Sequence, residues 1–197
     1  MRRYFLHACA ATLALSAPAF AADAVTRAQV LDAIRVFDAN AAGSPDPTRA
    51  AAGAGDAVAK ASNTILKFAI DSDEVVVDLG PNSVPWLDVK KGFADLPQSG
   101  ERGLLFAAYV AGSVKAQLRS GKPDPNPFEG WVAMLQVYRA LRTREGVRIP
   151  EAEALLSRQM AGTLGAYAAS ALIKSNEGLR KSYGDPAGSA KVPAQQP

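Results

Sequence analysis

Apolar residues return at helical intervals along most of this chain, and proline and glycine set the breaks between them. Val30, Ile34 and Phe37 recur three or four residues apart with Leu31 widening the stripe, which predicts a helix from about Thr26 to Ala42. Thr26 and Gln29 have the spacing of a capping box, in which each side chain serves the other residue's backbone N–H. Gly43-Ser44-Pro45-Asp46-Pro47 ends the ladder, because proline cannot continue it. A second helix is read from Thr48 to about Ile70 on Val58, Ala61, Ile65 and Phe68, with a start weakened by Gly53 and Gly55.

The period then changes. Glu74 to Leu79 alternates with β-branched residues and places Val75, Val77 and Leu79 on one face, a strand signal. A lone strand must find partners for its N–H and C=O groups. Ile65 to Ile70 offers itself across the 71–73 turn, which would stop the second helix near Asn63. Residues 80–100 carry Pro81, Pro85 and Pro97, with room for a short helix around Leu87 to Phe93. The irregular 71–100 segment is long for a compact domain.

Glu101 to Ser120 is apolar nearly all round and reads as a buried central helix. After Gly121-Lys122-Pro123-Asp124-Pro125, the run Asn126-Pro127-Phe128-Glu129 has the cap, first-position proline and early acid of a helix start. Trp131, Leu135 and Tyr138 form one stripe of that helix, and Met134, Val137 and Leu141 a second. Pro150-Glu151 opens another helix with Leu155, Leu156, Met160 and Leu164, and Gly162 and Gly165 are candidate breaks before Ala166 to Lys174. The fold expected is all-α, a single domain of five or six packed helices over residues 22–183. A small β-hairpin or strand near residues 65–79 is left open. Residues 184–197 lack apolar periodicity and read as a disordered tail.

Ahead of all this, Arg2 and Arg3 precede an apolar or small run from Phe5 to Phe20, and Ala19-Phe20-Ala21 has the small-x-small pattern of a cleavage site. Residues 1–21 therefore read as a cleavable signal peptide, and the location expected is periplasmic or secreted. Arg2-Arg3-Tyr4-Phe5-Leu6 also resembles the core of a twin-arginine export signal, which leaves the route open. His7 and Cys9 are the single histidine and the single cysteine. Their loss with the leader excludes disulfides, thiolate nucleophiles, histidine bases, histidine or cysteine zinc sites, c-type haem and iron–sulfur clusters. Losing Arg2 and Arg3 leaves 20 basic against 19 acidic residues, and the formal charge falls from +3 to +1. That balance does not suit a nucleic-acid partner, and no cofactor motif is present.

Catalysis would then rest on carboxylates, hydroxyls, lysines or tyrosines. Asp71, Asp73, Glu74 and Asp78 are the densest acidic group, but no calcium-loop spacing joins them, and the simpler reading is a turn followed by a strand's solvent face. Glu101, Glu129, Glu151 and Glu153 are candidates for a paired-carboxylate glycan hydrolase, against which three of them sit at helix starts that favour acids anyway. Ser170 and Lys174 lie one turn apart without a serine–lysine signature around them. Arg139, Arg142, Arg144 and Arg148 form the one basic cluster and could meet an anionic partner or simply complement a helix's negative end. Trp86, in the irregular segment, is the best candidate contact residue, with Trp131 assigned to the core. The function expected is a non-enzymatic binding or envelope accessory protein whose partner is another envelope protein or an anionic wall or lipid component. A carboxylate-dependent hydrolase is the alternative.

Overall fold

Helix α3 organises the molecule because almost no face of it is polar. It spans Ser99–Ser120 and buries residues on every side, from Leu105 and Tyr109 to Val114 and Leu118. The computed structural model describes residues 24–41, 54–87 and 96–183, and among these there are six helices and no strand. Helix α1 is Arg27–Ala41 and α2 is Ala54–Asp71; α4 is Phe128–Glu145, α5 is Pro150–Met160 and α6 is Leu164–Tyr183. The leader with Ala19 and Ala21, the first residues of the second predicted helix, most of the Leu87 to Phe93 stretch and the 184–197 tail lie outside the described residues.

The helices form two groups of three. α1, α2 and α3 pack mutually, as do α4, α5 and α6, and the α3–α4 contact joins the groups into one domain. Glycine makes that contact close: a Cβ built on Gly112 of α3 would fall 2.5 Å from Ala133 Cβ and 2.7 Å from Glu129 O. One built on Gly130 of α4 would fall 2.5 Å from both Ser113 Oγ and Tyr109 Cδ2. No side chain fits between the two backbones at this crossing, so its closeness depends on these glycines.

Helix ends follow the predicted chemistry. Thr26 N donates to Gln29 Oε1 at 2.7 Å and Gln29 N to Thr26 Oγ1 at 3.3 Å, the reciprocal bonds of a capping box. Asn126 Oδ1 accepts from Phe128 N at 3.0 Å and so caps α4 through the intervening Pro127. The break between α5 and α6 falls at Gly162, whose φ of 69° suits glycine, while Gly165 sits inside α6. Met160, placed on the apolar stripe by spacing, ends α5 and is 79% exposed.

The hairpin does not form. Residues 65–70 are the last turns of α2, where Ile65 and Phe68, three apart, both enter the core. Only the helical period allows that, and it leaves Ile70 80% exposed. Residues 74–79 lie outside the helices and have no neighbouring strand among the described residues. In its place stands a side chain: Val76 N donates to Gln117 Oε1 at 2.8 Å, and Gln117 Nε2 donates to Val76 O at 2.9 Å. A carboxamide carries the donor and acceptor of a peptide group, so one glutamine supplies one rung of a β-ladder.

Candidate functional site

The irregular segment is built from turns, and it faces inward. Ser83 N and Val84 N both donate to Gly80 O, at 2.9 and 3.0 Å, and Leu87 N donates to Val84 O at 2.9 Å. Asp78 anchors the turn by accepting from Gly80 N at 2.8 Å and from Ser83 Oγ at 2.6 Å. Four side chains of the helical body then hold the segment down. Besides Gln117, Tyr109 Oη donates to Asp78 O at 2.7 Å, Trp131 Nε1 donates to Ser83 O at 2.6 Å, and Arg102 donates to Trp86 O.

Trp86 is therefore not a contact residue. It is fully buried, edge-on to Tyr109 with ring centroids 5.8 Å apart and planes at 73°. The indole closes the core under the turns, since a large ring gains more from burial than from a loop surface. Burial, and after it the Asp78 carboxylate, pushes the Tyr109 hydroxyl well above its ordinary pKa.

The acidic group near residue 71 is dispersed. Asp71 pairs with Lys67 at 2.7 Å, Glu74 pairs with Arg27 at 3.5 Å, and Asp78 is the turn anchor. Among the described residues no cluster of three or more His, Cys, Asp or Glu could hold a metal ion. Of the hydrolase candidates, Glu151 meets Arg102 at 3.4 Å. Glu129 is exposed on the first turn of α4 and Glu101 is half-buried on the first turn of α3. Ser170 and Lys174 lie on α6 with no hydrogen bond between them.

Glu153 is the exception, because the basic cluster gathers around it. Its Oε1 accepts from Tyr138 Oη at 2.7 Å and lies 2.9 Å from Arg142 Nε and 3.7 Å from Arg148 Nε. Arg148 Nη1 also donates to Val147 O at 3.1 Å and to Arg142 O at 3.3 Å, so its fork reaches the last turn of α4. One turn of helix or more further along α5, Gln159 Oε1 accepts from Arg139 Nη2 at 2.9 Å. Arg139, Arg142 and Arg148 thus form a ridge over the α4–α5 seam, and Arg144 stands exposed on the same last turns of α4.

Arg158 of α5, which spacing along the chain did not single out, stacks over the Tyr167 ring at 3.9 Å. Tyr167 in turn stacks on Trp131 at 5.4 Å. Under the ridge, Tyr138 is fully buried and accepts from Ile149 N at 3.2 Å. Burial raises the pKa of its hydroxyl, the Ile149 amide pulls it back, and Glu153 pushes it up again.

The chain matches no protein-family model, no curated protein and no solved structure. Its chemistry has to be argued from its own residues. No helix among the described residues is long and apolar enough to cross a membrane.

Proposed function

We propose that this protein is an exported, non-enzymatic binding protein of the cell envelope, and that it holds an anionic wall or lipid component through the ridge of Arg139, Arg142, Arg144 and Arg148. The observation that carries this reading is the sharing of one carboxylate by two guanidinium groups, with Arg139 bonded to a neutral amide. At Glu153 two positive charges meet one negative charge. Guanidinium forks match phosphate and carboxylate oxygens two at a time, which suits a polyanionic surface better than lysines would. The hydrolase alternative draws less support, because Glu151 and Glu153 already serve as acceptors for structural partners.

The test is sedimentation with vesicles containing phosphatidylglycerol, with neutral phosphatidylcholine vesicles and an anionic wall-polymer preparation as further arms. Binding to an anionic arm that weakens with salt, and falls roughly tenfold or more in the Arg139→Ala, Arg142→Ala double variant, is the expected result. Anionic binding that survives the double variant removes the ridge from the function. Wall lysis in a zymogram without any such binding favours the hydrolase.

A further inference from the structure

Within the arginine ridge, three donors from α4 and the loop after it meet at a single oxygen atom. Glu153 Oε1 accepts from Tyr138 Oη at 2.7 Å and lies 2.9 Å from Arg142 Nε and 3.7 Å from Arg148 Nε. Two of these donors are also held by contacts that do not involve Glu153. Tyr138 is fully buried, and its hydroxyl oxygen accepts from Ile149 N at 3.2 Å, so its one proton goes to the carboxylate. Arg148 is tethered through Nη1 to Val147 O at 3.1 Å and to Arg142 O at 3.3 Å.

Glu153 reaches this point from a different element, the first turn of α5. Glu151 already places an acid on that turn, where the helix dipole favours one, and Glu153 directs its carboxylate to α4 instead. The Glu153 side chain is 31% exposed, and those of Arg142 and Arg148 are 42% and 57% exposed. Ion pairs this exposed are held weakly, because water and dissolved ions compete for both partners. A hydroxyl and two guanidinium groups are also the donors that recognise the oxyanion groups of ligands. The Glu153 carboxylate is such a group, tethered to the chain itself.

We propose that Glu153 is an internal stand-in for the ligand: its carboxylate occupies an anion seat made by Tyr138 Oη, Arg142 and Arg148, and a phosphodiester of the partner displaces it. The proposal rests on the reading of the ridge as an anion-binding surface and adds where the anion sits and what opposes it. A phosphodiester carries the same single charge and offers two free oxygens to the two guanidinium forks. Lipid headgroups and phosphate-linked wall polymers share that group. Glu153 thereby sets a threshold that an anion touching only one arginine does not pass.

The experiment compares Glu153→Gln with the unaltered protein in sedimentation with phosphatidylglycerol vesicles and with the wall-polymer preparation. The amide oxygen of the variant can still accept from Tyr138 Oη, so this bond is kept while the competing charge is removed. Affinity for an anionic arm should rise about fivefold or more at low salt, and the gain should shrink as salt is added. Glu145→Gln makes the same change of charge at the exposed end of α4 and should alter affinity by less than about twofold. In the unaltered protein, titration with dihexanoyl phosphatidylglycerol should move the Glu153 carboxyl carbon resonance toward that of a solvated carboxylate. A larger gain on vesicles assigns the seat to lipid headgroups, and a larger gain on the polymer assigns it to the wall. Affinity that is unchanged or lower in Glu153→Gln makes Glu153 a strut between α5 and α4 and overturns the proposal while the ridge reading stands. An equal rise in Glu145→Gln, or a carboxyl resonance that does not move, does the same. Absence of anionic binding by both the unaltered protein and Glu153→Gln overturns the ridge reading and this proposal together.

Discussion

Gln117 and Glu153 each gather a set of polar groups from other parts of the chain, and they do it in different solvents. Gln117 is 3% exposed and meets Val76, Ser113 and Asp124 with both amide hydrogens and its oxygen in use. Glu153 is about a third exposed, and the Arg142 and Arg148 side chains around it are exposed further still. At Gln117 each lost bond leaves a part-buried backbone group without its side-chain partner. At the wet site a lost pair is replaced by hydration, and the arginines can trade Glu153 for another anion. Polar side chains inside the molecule hold the 72–87 segment, whereas the pairs of Arg142 and Arg148 with Glu153 lie where water competes for them.

The comparison predicts its largest effect at Gln117. Gln117→Leu strips Val76 N, Val76 O and Asp124 N of their partner together, and urea unfolding should show a loss of about 3 kcal/mol. Gln117→Glu should not restore it, because a carboxylate cannot donate to Val76 O. A loss under about 0.5 kcal/mol would mean that water reaches the segment and that the two sites do not differ.

Tyr109→Phe removes one bond, to Asp78 O, and should cost about 1 kcal/mol at neutral pH. It should also alter the pH dependence. Tyr109 and Tyr138 both have raised pKa values in the folded protein. Below the ordinary tyrosine value of about 10 both states are protonated, and stability is unaffected by this ionisation. Above it the unfolded chain ionises first, so stability falls as pH rises. Melting curves taken on the alkaline side should flatten more in Tyr109→Phe than in Tyr138→Phe, since burial and Asp78 act together on Tyr109. Equal flattening would place both hydroxyls in equivalent surroundings.

The smallest stability effect is expected at the ridge. Arg142→Ala and Arg148→Ala should each change stability by less than about 0.5 kcal/mol while lowering attachment to anionic vesicles. A loss of stability as large as that at Gln117 would make the ridge a structural ion-pair network.

Most of the helices were legible because their signals are local. The Thr26–Gln29 box, the Asn126-Pro127 start and the helical stripes of α3 and α4 all depend on neighbours within a turn or two, and the structure places them there. The 65–79 region was legible only in part. Its alternating valines marked where the helical period stops, but no strand forms there, and the alternation carries no information about what lies beside it. The partner is one side chain 41 residues away, and no periodicity announces it. Trp86 was misplaced for a related reason: proline-rich turns usually run over surfaces, and nothing local says that these turns fold under Arg102 and Trp131.

The same division holds for the candidate sites. The cluster Arg139, Arg142, Arg144 and Arg148 is visible as spacing, but Glu153 and Gln159 join it only when α5 lies against α4. By itself the sequence determined the helical class, most of the helix starts and stops, and, on the reading of residues 1–21 as a leader, a working chain without histidine or cysteine. Those properties follow from backbone sterics, short-range hydrogen bonds and composition. Tertiary structure alone decided which polar side chains stand in for a missing strand, that Trp86 joins Trp131 in the core, and which charges come together, because each depends on groups brought together from distant positions by packing.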